Sequence, residues 1–113
     1  MEINVRETED VKVVNLQGDL DTNTAAQCEA KLKEIIDGNV TKILLNLEEL
    51  DFMSSAGLRV SLATAKRLQG LGGSLRVCCL NETVQEIFEM SGFISILKVS
   101  ATEQESINAF SAE

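Results

Sequence analysis

The run Ile43-Leu44-Leu45 constrains the fold more than any other part of the chain. It sits inside a β-branched and leucine-rich segment, Val40 to Leu47, and shows almost no alternation of apolar and polar residues. A strand that alternates buries one face, whereas a strand that does not must bury both. Burial on both faces needs cover above and below a sheet. Parallel strands joined by helical crossovers provide that cover.

The rest of the chain keeps the rhythm such a sheet requires. Ile3 and Val5 alternate with polar residues, as in a half-exposed edge strand, and Glu7 to Asp10 reads as a polar turn. Val11, Val13, Val14 and Leu16 mark a second strand ending at Gly18, and Asp19 to Asn23 is a loop rich in capping residues. Ala25, Cys28, Leu32, Ile35 and Ile36 have helical spacing, and that helix should stop near Asp37-Gly38. Val40 to Leu47 is the third strand, followed by a loop from Glu48 to Met53. From Ser55 onward, Leu58, Leu62, Ala65 and Leu68 form the apolar stripe of a second helix, ended by Gly70, Gly72 and Gly73. Leu75, Val77 and Leu80 mark the fourth strand. Asn81 caps a helix with Val84, Ile87, Phe88 and Ser91 inward and Gly92 at its end. Ile94 to Val99 is the last strand, and Thr102 to Glu105 is a capping box opening a helix with Ile107 and Phe110 inward.

The expected order is ββαβαβαβα, an α/β fold built as one domain over residues 1–113. Its sheet is mixed and mostly parallel, with the first strand at an edge. Functional loops in such sheets gather at the carboxyl ends of strands. Two loops qualify, Gly18 to Asn23 and Asp51 to Gly57.

Composition removes several chemistries. The chain has no histidine, so Ser-His and Cys-His nucleophile pairs are out, and zinc would have only thiolates and carboxylates. A net charge of −8, from 10 basic and 18 acidic side chains, argues against nucleic acid and against an anionic membrane surface. It suits a partner with a basic patch. The three cysteines, Cys28, Cys78 and Cys79, make a poor disulfide framework, since Cys78 and Cys79 adjoin in a strand pattern and point to opposite faces. A reducing cytoplasm is expected. No stretch approaches the ~18 apolar residues of a membrane span. The carboxylates of Asp19, Asp21, Glu48, Glu49 and Asp51 lack a calcium-loop pattern and read as loop and capping residues. No enzyme, cofactor or metal is expected.

Ser54 and Ser55 stand where the second helix must start. One serine suffices as an N-cap. If the Ser54 side chain bonds the N–H of Ala56 or Gly57, the Ser55 hydroxyl is left free in the first turn. Ala56 and Gly57 carry no bulk to shield it. Gly57 costs a helix about 1 kcal/mol relative to alanine, which calls for a close approach there by a partner or a packed neighbour. Arg59 follows one turn after Ser55, on the exposed side by helical phase.

The segment Phe52-Met53-Ser54-Ser55-Ala56-Gly57-Leu58-Arg59-Val60 resembles the signature of the STAS-domain anti-sigma-factor antagonists, in which an Asp-Ser-Ser/Thr-Gly-Leu loop starts a helix. Gly18-Asp19-Leu20-Asp21 is similar to the acidic loop of that family, and the order of elements agrees over nearly the whole chain. The resemblance implies a STAS-like fold and a phosphorylation-controlled binding module in bacterial transcription regulation. Ser55 falls on the serine phosphorylated by an anti-sigma-factor kinase. Asp21, Asn23, Ser54, Ala56, Gly57 and Arg59 fall on the partner surface around it. The unmodified form would bind the kinase, and a phosphoserine phosphatase would restore it; the protein itself would be a cytoplasmic monomer or weak dimer. Two positions depart from the pattern: Ser54 replaces the usual Asp, and Ala56 replaces Ser or Thr. A second reading within the family is a non-phosphorylated assembly module of a lipid-transport, transporter or stressosome-like complex.

Overall fold

The structure, a computed structural model, describes residues 1–92 and 97–113. Glu9 and Asp10 adopt φ of 48° and 67°, a two-residue turn whose twist matches that of paired strands. It joins β1 (Glu2–Thr8) to β2 (Val11–Leu20) as an antiparallel hairpin in which Thr8 faces Val11 and Glu2 faces Gln17. The chain continues through α1 (Ala25–Asp37), β3 (Lys42–Asn46), β4 (Leu50–Met53) and α2 (Ser55–Gly70). It ends with β5 (Ser74–Cys78), α3 (Glu82–Ser91), β6 (Lys98–Ser100) and α4 (Glu103–Ser111). The sheet runs β1-β2-β3-β5-β6, with every pairing after the first hairpin parallel.

The non-alternating run is buried on both faces. Ile43 and Leu45 join the larger core, where Cys28, Leu32 and Ile36 of α1, Leu58 and Leu68 of α2, and Val84 and Phe88 of α3 cover the sheet. Leu44 joins Val11, Val13 and Cys78 on the other face, beneath Ile107 and Phe110 of α4. Among the described residues, three helices thus lie on one side and one on the other.

Four expectations are corrected. The segment read as a loop from Glu48 to Met53 contains β4, so the order is ββαββαβαβα. β2 does not end at Gly18 but continues to Leu20, through a register irregularity at Gly18/Asp19 with Gly18 at φ 103°. Its far end outruns β3 and offers a free parallel edge, where Gly18 faces Leu50 and Leu20 faces Met53. The α2 stripe is rotated. Ser61 and Thr64 are buried and Leu62 is only half-buried, because the two hydroxyls satisfy themselves on the helix backbone. Ser61 Oγ donates to the Gly57 carbonyl at 3.1 Å and Thr64 Oγ1 to that of Val60 at 2.8 Å. Cys79 has φ 62°, so it leaves the strand and packs against the same cluster as Cys78 rather than facing away. α1 stops at Asp37 as expected, with Gly38 at its C-cap and a left-handed Asn39 (φ 69°) next.

The two later caps form as expected. Asn81 Oδ1 accepts from the Val84 N–H at 2.8 Å, and Thr102 Oγ1 accepts from the Glu105 N–H at 3.1 Å. β6 begins at Lys98, and the earlier part of the expected last strand, Ile94 to Ile96, lies outside the described residues.

Candidate functional site

β2 and β4 end side by side at the carboxyl edge of the sheet, and each delivers one of the two loops. The Ser54 N–H donates to the Leu20 carbonyl at 2.9 Å, which ties the start of α2 to the end of β2. Ser54 is extended (φ −88°, ψ 176°), and its own carbonyl accepts from the Leu58 N–H at 3.0 Å. It therefore occupies the N-cap position through its backbone. Its side chain does not cap: Oγ makes no cap hydrogen bond and is buried without a partner among the described residues. This corrects the expected bond to Ala56 or Gly57. The tether to Leu20 fixes the backbone with the side chain turned inward, away from the N–H groups of the first turn.

Those N–H groups, on Ser55, Ala56 and Gly57, receive no side-chain cap, and no acidic residue stands in the first turn. The helix start keeps its positive end unfilled. Ser55 is exposed and Ala56 half-buried. Gly57 is buried, and a Cβ there would lie 2.8 Å from both Leu20 Cγ and Met53 Cγ. The close approach that the glycine permits is thus to packed neighbours, which seats the helix start on β2 and β4. Arg59 is exposed one turn on.

Asp21 builds the second loop. Its Oδ1 accepts from the N–H groups of Asn23 at 2.9 Å and Thr24 at 3.2 Å, and its N–H donates to Thr24 Oγ1 at 2.9 Å. Its carbonyl accepts from the Ala25 N–H at 2.8 Å, so it also closes the turn that leads into α1. Asp21 is half-buried by this work, while Asn23 is exposed beside it. The structure thus brings Asp21, Asn23, Ser54, Ser55 and Gly57 to one edge through the Leu20–Ser54 bond.

Sequence reasoning missed the apolar side of the site. Phe52, Leu58, Ile87 and Met90 join Ser54 and Ser55 around an open groove of about 440 Å³. Phe52 is 43% exposed and Met90 87%. Met90 stood off the inner stripe of its helix in the sequence, and an unexplained large apolar residue there was the available signal.

The titratable groups with displaced acidities lie elsewhere. Asn46, 5% exposed, donates through Nδ2 to Glu103 Oε1 at 2.9 Å and accepts through Oδ1 from the Glu48 N–H at 3.0 Å. Burial works to raise the Glu103 carboxyl, but hydrogen bonds from Asn46 and Arg6 and the Arg6 charge hold it below its ordinary value. Burial, with the Glu29 charge, raises the Cys28 thiol to about 11, and burial raises Cys78 further. Among the described residues no group of His, Cys, Asp and Glu could hold a metal ion. No described helix is long and apolar enough to cross a membrane. The site offers an exposed hydroxyl at a positive helix end, next to an apolar groove.

Comparison with known proteins agrees with this fold. The family model for the STAS domain matches residues 2–106. BtrV of Bordetella bronchiseptica, assigned as an anti-sigma factor antagonist, is 37% identical over 110 residues, covering 97% of this chain and 95% of BtrV. The anti-sigma factor antagonist SpoIIAA in its unphosphorylated form superposes with a TM-score of 0.82 at 29% identity, covering 99% of this chain and 98% of SpoIIAA. The phosphorylated form of SpoIIAA, described as a Bacillus cell fate determinant, superposes with a TM-score of 0.72 at 29% identity, covering 96% and 98%.

Proposed function

The chain belongs to the STAS-domain family of anti-sigma-factor antagonists, and on that premise we propose that it binds an anti-sigma factor and releases it when Ser55 is phosphorylated. The family consists of regulatory binding proteins, and the chain acts here as substrate and ligand rather than as catalyst. The partner is an anti-sigma-factor serine kinase, which supplies the ATP site. A separate phosphatase returns the free serine.

One observation carries the reading. Of the two serines at the helix start, only Ser55 is exposed; the Ser54 oxygen is buried. Phosphoryl transfer needs a hydroxyl in line with the donor, and only Ser55 can be presented that way. The existence of SpoIIAA in unphosphorylated and phosphorylated forms supports a modification in this family.

The free energies favour release without unfolding. A phosphate brings about −1.5 to −2 charges at neutral pH. The unfilled helix N-terminus accommodates it, by roughly 0.3–1 kcal/mol in its favour. At a packed interface beside Asp21 the same charge costs ~2–5 kcal/mol of binding, a loss of roughly 30-fold to several thousand-fold in affinity.

The test is incubation with the cognate kinase and ATP, then mass-spectrometric mapping of wild type, Ser54→Ala and Ser55→Ala. Phosphate is expected on wild type and Ser54→Ala and not on Ser55→Ala. Calorimetry with the kinase should show tight binding by the free form and weak binding by the phosphoform. Phosphate persisting on Ser55→Ala, or equal affinity of the two forms, refutes the proposal. No phosphate on any variant would support the assembly-module reading instead.

A further inference from the structure

β1 is an outer strand of the sheet, and among the described residues it pairs only with β2. Its outward N–H and C=O groups are open to pairing with another strand. Bulges, prolines and covering elements protect many edges. β1 has seven residues, no proline, and unbroken register against β2 from Thr8–Val11 to Glu2–Gln17. Val5, at its middle, is 36% exposed.

The hairpin register says which groups point outward. The two-residue turn makes Thr8 and Val11 the hydrogen-bonded closing pair. Alternation then aims the backbone of Arg6, Asn4 and Glu2 at β2, and that of Glu7, Val5 and Ile3 away from it. Two copies can pair antiparallel about a two-fold axis only where outward groups meet outward groups, so a residue must lie opposite itself on the axis. An axis at Arg6 sets Arg6 against Arg6. An axis at Val5 sets Ile3 against Glu7. An axis at Ile3 pairs only the first half of the strand. An axis at Asn4 sets Glu2 against Arg6 and Ile3 against Val5, each twice.

The faces agree with this last register. Ile3 and Val5 pair with Leu16 and Val14 of the larger core, whereas Arg6 reaches Glu103 on the α4 side. Cross-strand pairs would be aliphatic on one face and oppositely charged on the other, the combinations that stabilise a ladder. We propose that β1 is a homodimerisation edge, on which a second copy of this chain adds antiparallel about a two-fold axis at Asn4. The charge of −8 on each copy opposes association, so the dimer is a species of high concentration. It is independent of Ser55 and of the anti-sigma factor.

Sedimentation velocity of the full chain up to millimolar concentration should show a reversible monomer–dimer equilibrium. Glu2→Arg and Arg6→Glu should each weaken it about tenfold or more, since each sets like charges opposite twice. Their mixture should form a heterodimer, because one copy then presents two arginines and the other two glutamates. The doubly reversed chain should recover the homodimer. Arg6→Glu also removes the Glu103 contact, so circular dichroism checks its folding, while Glu2→Arg serves as the arm without that complication. In a Cys79→Ser background, Asn4→Cys should cross-link on mild oxidation, because a non-hydrogen-bonded antiparallel pair places its Cα atoms about 4.5 Å apart, within disulfide reach. A wild type that stays monomeric, a mixture that does not associate, or cross-linking through Val5→Cys instead of Asn4→Cys overturns the proposal.

Discussion

Ser54→Ala removes an oxygen that is buried and unbonded at the start of α2. A buried hydroxyl without a partner costs ~1–3 kcal/mol. Alanine keeps Cβ and loses that cost. Against it stands the void left by one oxygen, worth a few tenths of a kcal/mol at about 24 cal/mol per Å³. The expected outcome is a gain of about 0.5–2 kcal/mol, which for a domain of this size raises Tm by roughly 2–8 °C. An ordinary serine cap would give the opposite sign, a loss of about 1 kcal/mol. Urea unfolding at neutral pH reads the difference through the midpoint at constant slope. A loss near 1 kcal/mol would show that the Ser54 hydroxyl caps the helix after all, and the buried-oxygen argument for Ser55 would fall with it. Ser55→Ala is the companion measurement. Its exposed hydroxyl should be worth no more than about 0.5 kcal/mol to the fold.

Three more outcomes are expected. Gly57→Ala gains about 1 kcal/mol of helix propensity but drives a Cβ to 2.8 Å from Leu20 and Met53, an overpacking that costs ~1–3 kcal/mol; urea midpoints should show a net loss. With Cys28 at about 11 and Cys78 pushed higher by burial, a thiol reagent at pH 8 should label Cys79 alone in the native protein and all three cysteines in denaturant. Because the folded Glu103 carboxyl lies below its ordinary value, it contributes stability above that value and loses the contribution as pH falls through the folded one. The stability gap between wild type and Glu103→Gln should be widest at neutral pH and close in acid; a gap that widens in acid refutes the assignment.

Much of the layering was legible because it rests on period. Ile43-Leu44-Leu45 has no alternation, and that alone required cover on both faces, which α4 completes on the second side. Asn81 and Thr102 were legible as caps because capping is local chemistry. β4 was not, since its buried Leu50 and Met53 flank the exposed Asp51 and Phe52 and show no period of two. Only its pairing with the overrun of β2 makes it a strand. The α2 face was misphased because hydroxyls that bond their own helix can be buried like small apolar groups. At the site, residue types placed Ser55 correctly in the first turn, but the inward turn of the Ser54 side chain depends on the Leu20 carbonyl, far away in sequence.

That single bond between the Ser54 N–H and the Leu20 carbonyl has a consequence for recognition. Any enzyme that modifies Ser55 meets a three-dimensional epitope, with the serine held at a fixed angle by a strand more than thirty residues earlier. A linear stretch excised around Ser55 has neither the β2 scaffold nor a helix long enough to form alone in water. A synthetic peptide spanning Leu50 to Val60 should therefore be a far poorer phosphoacceptor than the folded chain, and selectivity among related kinases would be written in tertiary structure rather than in a consensus string.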